Sequence, residues 1–103
     1  MTKDEMEAIF HDSDTSLLDF EGLVEKRSQR PDLHAFLLLD SLDPGPNSSG
    51  YFVDVIAAAE HDEFYLCFDE DKVAAVITPE QVIELRRCGV MYSNDGMGFH
   101  MFA

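Results

Sequence analysis

Six carboxylates lie within 12 residues near the middle of the chain, in two short clusters. The clusters are Glu60, Asp62 and Glu63, and then Asp69, Glu70 and Asp71. A strand predicted between them would hold the clusters ~17 Å apart. Carboxylates at such a separation can present negative charge to a basic surface, as a DNA mimic does. However, exposed acids are common in turns, so either cluster alone could be an ordinary solvated turn without a binding role.

The charge of the whole chain favours the binding interpretation. Its 103 residues include 21 Asp and Glu but only seven Lys and Arg, for a formal net charge of −14. A small domain needs a net charge of only about 2–8 to stay in solution. Such acidity disfavours nucleic acid and anionic membranes as partners. It favours a cationic protein face, a metal ion or a cationic ligand.

A basic protein, such as a nuclease or another nucleic-acid-binding protein, is therefore the expected partner. Electrostatic steering would bring it to the acidic surface, and aromatic side chains would then anchor it. The candidate anchors are Tyr51 and Tyr65, which lie in predicted strands beside the first cluster. Together with the six acids they make up the predicted partner-binding site.

The sequence motifs for metal binding and for nucleophilic catalysis are weaker than the charge pattern. Asp12, Asp14 and Ser16 follow the first ligand positions of a calcium loop, but Leu17 and Leu23 stand where glycine and glutamate are required. The four histidines are scattered, without zinc-ligand spacing. There is no Gly-x-Ser-x-Gly motif and no glycine-rich loop leading into a helix. No cofactor, metal or catalytic residue is predicted, and the chain is not expected to be an enzyme.

The two cysteines, Cys67 and Cys88, are expected to be reduced, although a disulfide between them stays open. Arg86 and Arg87 would lower the pKa of the Cys88 thiol, whereas a helix C-terminus would oppose that shift. The charged N-terminus lacks the apolar stretch of a signal peptide, and no apolar run has the ~20 residues of a membrane span. The expected location is the cytoplasm.

The elements that must position these residues form a predicted single α+β domain over residues 1–103. Two N-terminal helices precede an antiparallel sheet of about five or six strands, with one helix, 79–88, packed on it. The first helix spans about Lys3 to His11, after a Thr2–Glu5 capping box. The second begins at Ser16, with an apolar stripe that runs from Leu17 to Val24.

Most strands are predicted from short apolar runs between turn signals. Residues 33–39 favour a buried strand, although helix stays open for them, and a loop rich in proline and glycine follows at 43–50. Further strands are predicted at 51–59, where helix also stays open, at 64–68 and at 73–77, with turns at 60–63 and 69–72. Helix 79–88 begins at the N-cap Thr78, and Asn94-Asp95-Gly96 turns the final hairpin of strands 90–93 and 97–102.

The leading prediction is a non-enzymatic inhibitor of a basic, nucleic-acid-handling protein. Phage and mobile-element anti-defence factors, such as anti-CRISPR or anti-restriction proteins, and toxin-immunity proteins share this size and charge. The alternative is a homodimeric adaptor or secretion-type chaperone, paired through 97–102 if that strand lies at a sheet edge. A third possibility is that the acidity is a halophilic adaptation.

Overall fold

A computed structural model describes residues 1–12, 17–44 and 54–102. Within these ranges the chain forms an α+β fold with four α-helices and a four-stranded antiparallel sheet. The helices are α1 Lys3–Phe10, α2 Pro31–Leu42, α3 Glu70–Val76 and α4 Pro79–Arg87. The strands are β1 Ile56–Glu60, β2 Glu63–Leu66, β3 Met91–Ser93 and β4 Gly98–Phe102. None of the helices in these ranges is long and apolar enough to cross a membrane.

Helices α1 and α4 confirm the predictions made from their capping residues. The Thr2 hydroxyl accepts from the Glu5 N–H, and the Glu5 carboxylate accepts from the Thr2 N–H. Thr78 and Gln81 make the same reciprocal pair at the start of α4. Each box satisfies two backbone donors that the first helical turn leaves free, so both helices start where the local sequence directs.

The predicted strand at 33–39 is wrong, because this segment belongs to α2. Pro31 occupies the first turn of the helix, where its missing N–H costs nothing. The buried side chains follow helical spacing, with His34, Ala35, Leu38 and Leu39 on one face. The run also lacks the β-branched residues that favour a strand.

The predicted turn at 69–72 and strand at 73–77 are also wrong, because together they form α3. Asp69 is its N-cap, and one carboxylate oxygen accepts from the N–H groups of Asp71 and Lys72 at 3.1 and 3.2 Å. Val73 and Ala74 turn into the core. With 33–39 and 73–77 both helical, the described sheet has four strands rather than five or six.

The second predicted helix is wrong for the part that the structure describes. Ser16 lies outside the described residues, and from Leu17 onward only a short 3₁₀ turn forms, at Phe20–Gly22. Val24 is 97% exposed and so does not belong to a buried stripe. This segment is held against α4 instead, since an Asp19 carboxylate oxygen lies 2.6 Å from Nη1 of Arg87.

The sheet has the order β1-β2-β4-β3, and every neighbouring pair is antiparallel. The final hairpin forms as predicted, but β4 pairs with β2 on one side and β3 on the other. The expectation that 97–102 is an edge strand is therefore wrong. Strands predicted at 51–59 and 64–68 correspond to β1 and β2, although Tyr51 and the rest of 45–53 lie outside the described residues.

An aromatic cluster joins α1 to the inner face of the sheet. The rings of Phe10, Tyr92 and Phe99 have centroids 4.8–6.2 Å apart, and none of the three is more than 1% exposed. Such tilted and edge-to-face contacts add to the free energy gained by burying the rings. The helices cover this face, and the opposite face contributes the surface described below.

Gly89 ends α4 and allows a prediction about stability. Its φ is +95°, and an added Cβ would lie 2.6 Å from Cδ2 of Leu18. Gly96 has a similar φ of +107° but open space around it. Leu18 is 65% exposed and its methyl group can move away from an added Cβ, so the backbone strain of a positive φ is the main cost at both positions. We expect Gly89→Ala and Gly96→Ala each to lower the free energy of unfolding by about 1–2 kcal/mol. Urea unfolding measures both, and a loss well below 1 kcal/mol for either variant would contradict the left-handed backbone at that glycine.

Candidate protein-binding surface

The β1–β2 hairpin carries the first carboxylate cluster at its tip. Glu60 and Glu63 are direct cross-strand partners, and His61 and Asp62 make the two-residue turn between them. His61 has a φ of +54°, in the left-handed region that a tight hairpin turn requires. All five residues of β1 are exposed, as are both turn residues, so the hairpin tip is accessible to a partner.

The carboxylates at this tip are close together without a Lys or Arg beside them in the sheet. Like charges that face each other across an antiparallel pair destabilise it. Glu60 and Glu63 are such a pair, with Asp62 between them in the turn. A cationic group bound at the tip would relieve this repulsion. The local electrostatics therefore suit a positively charged partner.

The second carboxylate cluster is occupied by contacts within the chain. Asp69 caps α3, and Glu70 accepts a hydrogen bond of 2.7 Å from the hydroxyl of the buried Tyr92. The Asp71 carboxylate lies 3.6 Å from Nζ of Lys3. Of these three acids, only Asp71 is exposed. The structure thus gives the two clusters different surroundings, and the first has the freer side chains.

Tyr65 lies on β2 directly opposite His100 on β4, and their ring centroids are 6.2 Å apart. Its half-exposed ring is on the same side of the sheet as Glu63. Desolvation raises the pKa of its hydroxyl, and the charges of Glu63 and Glu60 add to that effect. Tyr65 is therefore placed next to the acidic tip, whereas Tyr51, the other predicted anchor, lies outside the described residues.

His100 is a member of this surface that the sequence did not single out. Its Nδ1 donates to the Gly98 carbonyl at 3.0 Å, and its Nε2 lies 3.7 Å from a Glu63 carboxylate oxygen. Although its side chain is on the outer face, it is only 5% exposed. The only sign of it in the sequence is a histidine that interrupts the apolar pattern of the last predicted strand. His100 thus lies beside both Glu63 and Tyr65 in the fold.

The distribution of basic residues leaves this sheet surface without compensating charge. No Lys or Arg occurs between residues 31 and 71, and none occurs in any of the four strands. The seven basic residues lie in or next to the helices: Lys3, Lys26, Arg27, Arg30, Lys72, Arg86 and Arg87. The carboxylates at the hairpin tip therefore have no basic side chain in their own sheet.

A buried histidine–glutamate pair lies elsewhere, between α2 and α4. Nδ1 of His34 accepts the backbone N–H of Arg27 at 3.0 Å, so Nε2 carries the hydrogen that it donates to Glu84. The Phe20 ring packs edge-on against the imidazole. Because both ring nitrogens already have partners, neither is free to take a proton from a substrate. The pair fixes the segment before α2 against α4.

The two thiols are free, and both have a raised pKa. Burial raises the pKa of Cys88 to about 12, with a further contribution from the charge of Glu84. The suggestion that Arg86 and Arg87 lower this pKa is wrong, because desolvation dominates. In the described ranges there is also no group of three or more His, Cys, Asp or Glu residues that could hold a metal ion.

The raised pKa values predict a loss of stability in alkali. Cys88 ionises near pH 9 when unfolded but only at about 12 when folded, and burial also raises the pKa of Tyr92. The stabilisation is complete below pH 9 and declines as the pH rises further, because the unfolded chain then releases protons that the native state keeps. We expect the Tm to fall from pH 9 to 11, and to fall less in Cys88→Ala. Equal slopes for the two proteins would contradict this assignment.

Comparisons with known proteins give no family: no family model matches the chain, and no curated protein or solved structure matches it significantly. The hairpin and its charge are therefore the features of this chain that indicate a function. The surface that matters comprises Glu60, Asp62, Glu63 and Tyr65, and we call it the acidic hairpin.

Proposed function

We propose that this protein is a non-enzymatic binding protein that occludes a basic surface of a nucleic-acid-handling protein. The observation that carries the proposal is the acidic hairpin, where exposed carboxylates project from a sheet that has no Lys or Arg. Charged groups on such a projecting element reach a partner first and steer its approach. The partner's cationic surface would otherwise hold the phosphates of a nucleic acid.

The mechanism has an electrostatic step followed by a packing step. Long-range attraction raises the association rate, and this gain falls with added salt because ions screen exposed charges. Tyr65 then supplies an aromatic contact beside the carboxylates. The complex forms without turnover, since binding alone blocks the partner's nucleic-acid site.

Several kinds of inhibitor fit this chemistry. An anti-CRISPR or anti-restriction protein of a phage or mobile element would block a defence nuclease. A toxin-immunity protein would block a nuclease toxin. In each case the target presents Lys and Arg to a phosphate backbone, and the acidic hairpin competes for those side chains.

A second candidate function is a homodimeric adaptor or secretion-type chaperone, and an apolar groove supports it. The groove has a volume of about 340 Å³, and its lining includes Leu18, Phe64, Met101 and Phe102. Leu18 and Phe102 are 65% and 60% exposed. Because β4 has a strand on each side, a second copy would have to dock through these side chains rather than by pairing with β4.

A capture experiment separates the two functions. The protein is immobilised, host and phage-infected lysates are passed over it at low salt, and a salt gradient elutes what has bound. We expect a basic nucleic-acid-binding protein to leave well above the salt that removes the background. Retention of only the protein itself or of a non-basic client, with a stable dimer at micromolar concentration, would contradict the inhibitor and favour the adaptor.

A further inference from the structure

Strand β1 is an edge strand with free capacity for pairing. Within the described part of the chain its only neighbour is β2. Glu60 and Glu63 flank a two-residue turn, so they form the hydrogen-bonded pair that closes the hairpin. Hydrogen-bonded and non-hydrogen-bonded pairs alternate along an antiparallel ladder. Ala59, opposite Phe64, therefore directs its N–H and C=O away from β2, toward the open side of the sheet.

Strand β1 has one of the features that usually block such an edge, a register shift in its first half, but lacks two others. Natural edge strands are protected by Lys, Pro, bulges or a covering element. The sequence Ile56-Ala-Ala-Ala-Glu60 contains neither Lys nor Pro, and its irregularity is confined to the stretch from Ile56 to Ala58. The three alanines are exposed and small, so no side chain keeps another strand away from the edge.

Charge determines which strand this edge accepts. Asp54 precedes β1, while Glu60 ends it and Asp62 and Glu63 follow. A second copy would bring the same acids to the same edge, and like charges would repel. An extended segment with Lys or Arg side chains would instead meet opposite charges while its main chain forms a ladder with β1.

We propose that β1 binds an extended basic segment of the partner as a fifth strand of the sheet. This inference rests on the proposed function and specifies its contact. Main-chain hydrogen bonds to β1 supply affinity, and the carboxylates of the acidic hairpin select basic side chains. The partner is thus a protein whose basic residues lie in an exposed strand or a flexible arm.

The test uses a synthetic peptide of alternating Lys and Thr, about eight residues long, the length of a strand. A second peptide has the same side chains, but every backbone amide is N-methylated. The methylated peptide keeps the positive charge of the parent peptide but has no backbone N–H groups to donate. Titration of ¹⁵N-labelled protein by NMR should show the parent peptide binding at least about tenfold more tightly, because only the parent peptide can donate main-chain hydrogen bonds to β1. Hydrogen exchange of the Ala59 amide should slow when the parent peptide is bound.

A matched pair of variants tests the same contact from the side of the protein. Ala59→Pro removes the outward N–H while leaving the pairing with β2, a position that tolerates proline in an edge strand. Ala59→Val keeps the N–H. We expect the first to lose about tenfold in affinity for the parent peptide and the second to bind nearly as the native protein does. If Ala59→Pro does not fold, hydrogen exchange of the Ala59 amide in the native protein, with and without the parent peptide, tests the contact instead.

The possible results separate the two proposals. Equal binding of the two peptides, no binding of the parent peptide, or an unchanged Ala59 amide in the bound state would overturn strand addition. The proposed function, occlusion of a basic surface, would still stand if the capture experiment retains a basic protein whose binding needs Glu60 and Asp62. If that capture retains no basic protein, the proposed function fails whatever the peptides do.

Discussion

The double substitution Glu60→Lys with Asp62→Lys is expected to weaken binding of the captured basic protein by at least about 30-fold at physiological salt. Each native carboxylate contributes up to about 1 kcal/mol to an exposed ion pair, and each reversal also replaces attraction by repulsion. Most of the loss should appear in the association rate, because these side chains act before contact. Surface plasmon resonance at several salt concentrations measures the association rate and the affinity.

The control for this prediction reverses two acids away from the sheet. Glu25 and Glu80 are exposed, and Glu25→Lys with Glu80→Lys changes the charge by the same amount. Each reversal adds two charges, so both double variants carry −10 instead of −14. Beyond the Debye length of about 8 Å, exposed charges are largely screened, so we expect a loss of at most about threefold. Equal losses would mean that net charge, and not the hairpin, attracts the partner.

The largest effect on stability is expected from Phe99→Ala. The Phe99 ring is fully buried on β4 and contacts the rings of Phe10 and Tyr92. Its loss removes apolar burial and leaves a cavity, for a cost of about 3–5 kcal/mol. Since a small domain has about 5–15 kcal/mol in total, the variant should be close to unfolding at 37 °C. Chemical denaturation followed by circular dichroism measures the change.

Phe102→Ala on the same strand is the matched control. Phe102 is 60% exposed, and a substitution at such a site usually costs no more than about 0.5 kcal/mol. A loss of about 1 kcal/mol or less for Phe99→Ala would contradict the position of the aromatic cluster at the centre of the core. A loss at Phe102 as large as that at Phe99 would indicate that this ring is buried, for example between two copies of the chain.

The helices α1 and α4 were predictable because their start signals are local. Thr2 with Glu5, and Thr78 with Gln81, satisfy the first helical donors regardless of what packs around them. The α3 signal is also local, since Asp69 is followed by acids in the first turn. A strand is predicted there because Val73, Val76 and Ile77 favour one, and because acids like those at 69–71 are also typical of a turn.

Where local signals were ambiguous, burial in the core determined whether a segment became a helix or a strand. Residues 33–39 form a short apolar run, which periodicity cannot assign to a strand or to a buried helix. Pro31 lies in the first turn of α2, where a proline marks the start of a helix. The order of strands is likewise absent from local spacing, so the interior position of β4 follows only from its pairing with both β2 and β3.

The candidate surface was predictable only where it depends on local sequence. The turn at Glu60–Glu63 is local, and the structure has it as expected. The contacts of the second cluster depend on residues far along the chain, since Glu70 meets Tyr92 and Asp71 meets Lys3. Sequence spacing shows where carboxylates are dense, but not which of them the fold employs for its own stability.

Competition between this protein and a nucleic acid for the captured basic protein tests the central claim most directly. Fluorescence anisotropy follows a labelled oligonucleotide bound to that protein while the acidic protein is added. We predict full release of the oligonucleotide at about one equivalent when concentrations exceed the Kd. The Glu60→Lys, Asp62→Lys variant should release little of it. A stable ternary complex, with the oligonucleotide still bound at saturation, would contradict occlusion of the nucleic-acid site.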